Sequence, residues 1–342
     1  MFQTEAIFLT KKGNPEQAFE LKAIQLEELK NDEVLIESEA FGLNYADVMA
    51  RNGLYREAPP MPCVIGYELV GKIIQVGESV NPNLIGTRVV AFCRFGGYSK
   101  HVITKQHAVA DIGDTPSEIA MALCTQAVTA YYMADFLAPI RKGDNVLVHA
   151  AAGGVGTILI QLCKRKGAQV IAKVGSTEKI EIVKQLGADF VVNYKTSEYE
   201  IEIQSFLSGD RLDASFNPVG GSTLKKDLSL LGSGGKLFLF GGSELVGAKF
   251  GLFSTLNFLR KMGLLLPIKL MMLSKNILGV NMLKIADNRP LILESCLNDV
   301  VKLFKAGGLQ VISGAVFNHQ EIALAHQLLE SGKSTGKITV KW

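Results

Sequence analysis

Cysteine is scarce and unpatterned in this 342-residue chain. The five present (Cys63, Cys93, Cys124, Cys163 and Cys296) are odd in number, scattered, and form no C-x-x-C pair. A disulfide framework and a zinc knuckle both need thiols at regular spacing, so these read as reduced thiols and the expected compartment is cytoplasmic. Long apolar runs are also missing: no uninterrupted stretch approaches the about 18–20 residues needed to span a bilayer. The N-terminus, Met1-Phe-Gln-Thr-Glu5, has neither the basic start nor the apolar core of a signal peptide. Excess charge of one sign is small. A net charge of +3, without any basic run interleaved with aromatics, gives no electrostatic footprint for nucleic acid. Hydrophobic residues at 48% and charged residues at 20% then describe an ordinary globular chain, long enough for two domains.

What is present is organised around Ala150-Ala-Ala-Gly-Gly-Val-Gly156. Asn145 to Ala150 is a short apolar run bounded by Gly143 and Asp144, the pattern of a buried strand. Val155, Ile158, Leu159, Leu162 and Cys163 then recur at the spacing of one helix face. Lys164, Arg165 and Lys166 crowd its last turn, where cations suit the helix dipole, and Gly167 supplies the stop. A second apolar run, Gln169 to Val174, follows. This is one βαβ unit. Gly153 and Gly156 let a pyrophosphate approach the backbone, and the unsatisfied N–H groups at the helix start can hold it. Against the fingerprint G-x-G-x-x-G, the first glycine is Ala151, and the strand–turn–helix context supports the other two.

The second strand would end in Asp or Glu if the nucleotide were NAD, to hold the ribose 2′-hydroxyl. Here it ends without a carboxylate, and Gly175, Ser176 and Thr177 follow, flanked by Lys173 and Lys179. A 2′-phosphate would be accepted by Lys179, the Ser176 hydroxyl and free amides. Lys179 is otherwise a solvated helix lysine, and Glu178 is a rival acid inside the helix start. NADPH is the expected cofactor.

Around this unit the text changes character twice. From Phe2 to about Ile112 it is β-rich, with period-2 alternation over Glu33–Ala40 and interior glycines that suggest bends. Asn44, Tyr45, Asp47, Arg51 and Tyr55 gather polar and aromatic groups on one short helix and loop, with Asp47 and Arg51 expected as a structural pair. Pro116 to Ala138 reads as one helix. From there strands and helices alternate to Phe240, which means a doubly wound parallel sheet and an α/β fold. Residues 251–276 are apolar with spaced basic residues. They read as amphipathic helices covering a cleft or subunit interface, or else as a surface that contacts membrane. Near the C-terminus, Asn318 and Glu321 form a capping-box start for a helix through Leu329.

Several stretches together resemble the medium-chain dehydrogenase/reductase superfamily: Gly66-Tyr-Glu-Leu-Val-Gly71, Gly77, Gly143-Asp-Asn-Val-Leu147, Ala151-Ala-Gly-Gly-Val-Gly156 and Gly187-Ala-Asp189. Within it, Asn44 to Tyr55 and Val148 to Gly156 are most similar to the zinc-independent quinone oxidoreductase branch, including synaptic vesicle membrane protein homologues. The resemblance implies a GroES-like catalytic domain over 1–125, a Rossmann domain over 126–285, and a return to the catalytic domain over 286–342. It places Asn44, Tyr55 and Thr129 against the nicotinamide end, with Tyr55 at the position of a proton-donating tyrosine or merely stacked on the ring. It gives Ala152, Gly153, Gly154, Val155 and Gly156 to the pyrophosphate, and Ser176, Lys179 and Tyr194 to the adenosine phosphate. Phe240, Gly241, Leu278 and Val280 line the nicotinamide.

It also implies that zinc is absent. Asn44 stands where zinc-using members have Cys, Tyr67 where they have His, and the third position falls near Thr125 with Cys124 one residue off. No histidine spacing replaces them, so no metal is expected. The implied reaction is hydride transfer from NADPH to a small apolar electrophile, a quinone or α,β-unsaturated carbonyl. An enoyl thioester reductase and a lipid- or membrane-associated protein that keeps the nucleotide fold are the alternatives. Ile277 to Asn281 is an unblunted apolar edge strand, and pairing with a second copy across a two-fold axis predicts a homodimer.

Overall fold

Strand-period and helix-period segments separate along the chain in the computed structural model, which describes residues 2–245 and 251–342, without the side chains of 251–255. Two compact units result: Met1–Thr129 with Met282–Trp342, and Ala130–Asn281. The strands of the first unit are β1 (Phe2–Leu9), β2 (Phe19–Leu26), β3 (Glu33–Gly42), β4 (Cys63–Val64), β5 (Glu68–Val76), β6 (Arg88–Phe92), β7 (His101–Lys105) and β8 (Val109–Asp111). The second unit holds β9 (Asn145–Val148), β10 (Gln169–Val174), β11 (Phe190–Asn193), β12 (Leu212–Asn217), β13 (Leu231–Leu239) and β14 (Asn276–Gly279). The chain then returns to the first unit with β15 (Ser313–Asn318) and β16 (Lys337–Lys341).

In the first unit one sheet has the order β2-β1-β4 and the other β15-β16-β3-β5-β6-β8, with β7 paired to β3. The inward residues of β3 and β5, among them Ile36, Phe41, Leu69 and Ile73, build a core with Tyr98, Ile338 and Val340. Burial of these apolar side chains supplies the main driving force of this unit. The capping box predicted at Asn318 is present, with the Asn318 N–H donating to Glu321 Oε2 at 2.9 Å.

The second unit is a parallel sheet in the order β11-β10-β9-β12-β13-β14. Strand order reverses at β9, between β10 and β12, and ligands of such sheets bind outside the carboxyl ends of the strands at that point. Strands β9 and β12 are buried along most of their length, as a sheet covered on both faces requires.

One expectation fails. Pro116 to Ala138 is not a single helix: it breaks into Ser117–Ala120, a 3₁₀ turn Met121–Leu123, Thr125–Tyr131 and a π-helical stretch Tyr132–Leu137. The backbone leaves the helical region at Cys124, with φ −77° and ψ −115°, and frees the Thr125 N–H to donate to the Glu68 carboxylate at 2.8 Å. A tertiary hydrogen bond overrides local propensity here.

Candidate functional site

The glycine turn leaves the carboxyl end of β9 and enters the helix Gly154–Arg165 with Gly153 as an extended N-cap. No side chain caps this end, so the first-turn amides have no intrahelical acceptor. At Gly156 a Cβ would fall 2.5 Å from Ala150 O and 2.7 Å from the Ala151 Cα, so only glycine lets the helix close onto the turn. The strained residue is Ala150, at φ 47°, one position before the alanine that replaces the first fingerprint glycine. Ala151 is fully buried and its N–H donates to Lys173 O at 3.1 Å, which ties the turn to β10.

Ala152, Gly154, Val155, Ser176 and Tyr194 all follow the carboxyl ends of β9, β10 and β11, and Lys179 lies in the first turn of the helix Glu178–Gln185. Tyr194 is half exposed and its hydroxyl lies 2.7 Å from where a Gly175 Cβ would stand, so the ring roofs the strand end. No carboxylate ends β10. The exposed Glu178 side chain sits beside Ser176, whose hydroxyl holds its carboxyl below the usual range. Phe240 and Gly241 follow β13, and Leu278 and Val280 lie in and just after β14, so they share that same edge of the sheet.

In the first unit, Asn44 is nearly buried and both ends of its amide are engaged. Its Nδ2 donates to Glu68 Oε1 at 2.6 Å, and its Oδ1 accepts from Lys337 Nζ at 3.0 Å. Lys337 also donates to Leu43 O at 2.9 Å and to Glu68 Oε1, which uses all three ammonium protons. Both charged side chains are fully buried. The space for them comes from Gly42, whose missing Cβ would lie 2.5 Å from the Lys337 Cε and 2.6 Å from Glu68 Oε1. Sequence reading singled out Asn44 and Tyr67 but not Lys337 or the Glu68 carboxylate as their partners. The nearest signal was the glutamate in Gly66-Tyr-Glu.

Tyr55 is half-buried, and burial, with the Asp47 and Glu57 carboxylates behind it, pushes its phenol up. It therefore keeps its proton across neutral pH. Thr129 is nearly buried, and its hydroxyl donates to Thr125 O at 2.5 Å.

The expected pair of Asp47 and Arg51 does not form. Arg51 reaches Glu330 at 2.5 Å, and Asp47 accepts the Asn44 N–H at 2.8 Å as the N-cap partner of the helix Tyr45–Arg51. The helix aims the two side chains at different neighbours. Burial pushes the Asp47 carboxyl up to about 7 from 3.8, against the pull of that N–H. From about pH 4 to about pH 7 the folded state keeps a proton that the unfolded chain has lost, so this group lowers stability as pH rises through that window. Asp47→Asn keeps an acceptor for the N–H. It is expected to gain stability relative to the unmodified protein from about pH 5 to about pH 8 in denaturant titrations. Parallel profiles would show that Asp47 is ionised in the folded chain.

Two family patterns match this sequence: "Alcohol dehydrogenase GroES-like domain" over residues 30–114 and "Zinc-binding dehydrogenase" over residues 154–292. The synaptic vesicle membrane protein VAT-1 homolog of Danio rerio is 30% identical over 312 residues, covering 91% of this chain and 64% of the relative. That of Mus musculus is 30% identical over 301 residues, covering 87% and 74%. The chain belongs to the medium-chain dehydrogenase/reductase family. It thus spans less than two thirds of the zebrafish relative's length. Among solved structures, this medium-chain dehydrogenase/reductase is similar to Escherichia coli quinone oxidoreductase complexed with NADPH. The TM-score is 0.84 at 27% identity, over 99% of this chain and 100% of that one. It is also similar to the CurK enoyl reductase, with a TM-score of 0.82 at 25% identity over 99% of each chain. The two units are the GroES-like and Rossmann parts of the family fold.

The residues at the family's zinc position do not fit the metal. Zinc takes thiolate, imidazole or free carboxylate donors. Here Asn44 and Glu68 are held by the Lys337 ammonium, and burial keeps the Tyr67 phenol and the Cys93 and Cys124 thiols protonated. Among the described residues no three His, Cys, Asp or Glu side chains converge to hold an ion. Protein purified without added metal is expected to carry no stoichiometric zinc, and chelators to leave activity intact. One tightly held zinc per chain by elemental analysis would contradict this.

Proposed function

We propose that this protein is a zinc-independent, NADPH-dependent oxidoreductase that reduces a quinone or an α,β-unsaturated carbonyl. The observation that carries the reading is the Lys337 ammonium clamped between Asn44 and Glu68 at the family's metal position. Without a metal to polarise a simple carbonyl, hydride transfer to an acceptor that is already electrophilic is favoured. NADPH supplies a hydride when bound. The amides of Ala152 to Gly156 would hold its pyrophosphate, and Ser176, Lys179 and Tyr194 its adenosine phosphate. Phe240, Gly241, Leu278 and Val280 would line the nicotinamide end. By the family resemblance Tyr55, which keeps its proton, would act as proton donor or as a stacked ring, and Asn44, the other residue the resemblance singles out, is fixed by Lys337 and Glu68. Oxidation of NADPH across a panel of quinones, enals and enoyl thioesters tests the reading, with Tyr55→Phe separating proton donation from stacking. Turnover confined to enoyl thioesters would favour the alternative that the likeness to the CurK enoyl reductase supports.

No turnover with any acceptor would favour a lipid-associated protein instead. The observation behind that second reading is the helix Pro267–Leu273 and its approach, where Leu264, Leu266, Ile268, Met271 and Met272 are exposed. Lys225, Lys269 and Lys275 border the adjoining cavity of 340 Å³. Such a surface suits an anionic membrane face. No helix among the described residues is long and apolar enough to cross a membrane.

We also propose a homodimer through β14, which ends the sheet among the described residues. The Val280 N–H is already engaged with Leu239 O at 2.9 Å inside the chain. Strand alternation therefore turns the groups of Ile277 and Gly279 outward. Ile277→Pro removes an outward donor and is expected to shift the protein toward monomer by light scattering. A single-chain mass for the unmodified protein at micromolar concentration would exclude the dimer.

A further inference from the structure

Lys173 is a buried charge in the second unit that the nucleotide turn does not explain. It stands next to last in β10, directly under the glycine turn, and its side chain is nearly buried. The side chain does not run out toward Ser176, as the flanking position in sequence suggests. Its ammonium lies 3.4 Å from His149 Nδ1, 3.7 Å from the centre of the Tyr199 ring and 5.1 Å from that of Tyr194.

The partners of Lys173 do not neutralise it at close range. His149 is fully buried, and burial holds its imidazole below the usual range against the pull of Asp227, so the ring is neutral. Its Nδ1 accepts from Lys173 while its Nε2–H donates to Asp227, 2.9 Å from Oδ2. Asp227 accepts further from Tyr199 Oη at 2.9 Å, Ser215 Oγ at 2.8 Å and Asn217 Nδ2 at 2.6 Å. Four donors therefore satisfy the carboxylate, which stands across the imidazole from the ammonium. The other charges acting on Lys173 are Lys226, Glu200 and Glu244. Lys226 is itself paired with Glu200 at 2.5 Å, and Glu244 with Lys261 at 2.6 Å. A buried ammonium faced by a neutral ring and two aromatic faces is under-compensated, an arrangement that a ligand anion relieves.

We propose that Lys173 is a positioning and selectivity residue for the adenosine phosphate: it fixes the Tyr194 ring from behind and adds the positive potential that a 2′-phosphate neutralises. This rests on the NADPH reading above. Tyr194 is held between that cation and the bare backbone of Gly175, with its half-exposed face left for the nucleotide. Burial also brings the Lys173 ammonium down to about 8, against the pull of Asp227, so its charge is lost within an accessible range.

The test is equilibrium binding of NADPH and NADH to the full chain and to Lys173→Met and Lys173→Arg, at about pH 7 and about pH 9.5. At the lower pH, Lys173→Met should weaken NADPH about tenfold and leave NADH unchanged. On going to the higher pH the unmodified protein should lose more of its NADPH preference than Lys173→Arg, which stays charged at that position. An unchanged NADPH:NADH ratio in folded Lys173→Met overturns the proposal, as does equal weakening of both nucleotides. If Lys173→Met does not fold, the pH profile of Lys173→Arg decides, and a decline equal to that of the unmodified protein overturns it. Failure of the unmodified protein to prefer NADPH at all would instead remove the cofactor reading, and this inference with it.

Discussion

Lys337→Met is expected to lower stability by about 3–5 kcal/mol, read as a fall in the midpoint of chemical unfolding. The substitution keeps most of the side-chain volume, so the loss is not chiefly a cavity effect. It removes the only cation among the described residues that the Glu68 carboxylate contacts and leaves that fully buried carboxylate with the Asn44 amide and the Thr125 N–H. The Leu43 carbonyl and the Asn44 Oδ1 also lose a donor. The double variant Lys337→Met with Glu68→Gln should recover a large part of the loss, because no buried charge then remains uncompensated. A single variant within about 1 kcal/mol of the unmodified protein would mean that the pair is not the buried clamp described here. Because the same ammonium orients Asn44, activity of any folded Lys337→Met should fall as well, more in kcat than in KM.

The second large effect concerns the nucleotide. Lys179→Ala is expected to weaken NADPH about 10- to 150-fold while changing NADH little, since a charge-assisted bond to phosphate contributes about 1.5–3 kcal/mol. Burial holds the Lys179 ammonium below its usual range, and a phosphate would oppose that shift. Equal binding of NADPH and NADH by the unmodified protein would sink the phosphate reading. Loss of both nucleotides in Lys179→Ala would point to damage at the helix start rather than to phosphate contact.

Much of this was legible in the sequence because it is local. The βαβ unit around Gly153, the strand that ends at Val174 without a carboxylate, the alternation through Phe240 and the capping box at Asn318 each depend on residues within a few turns of one another. Backbone sterics, helix-end amides and hydrophobic period act at that range, so the chain alone determined the doubly wound sheet and the nucleotide turn, while the family resemblance marked Asn44 and Tyr67 as the places where a thiol and an imidazole are missing. The tertiary structure decided what fills those positions. Lys337 meets Asn44 across 293 positions of sequence, and His149 meets Asp227 across 78. Neither pairing leaves a trace in spacing or composition, because a buried charge chooses its partner by proximity and desolvation after the strands are in register. Asp47 and Arg51, four residues apart on one helix, were parted by one local and one distant partner: the Asn44 N–H three residues away, which Asp47 accepts in a capping box, and Glu330, which only the folded unit brings to Arg51.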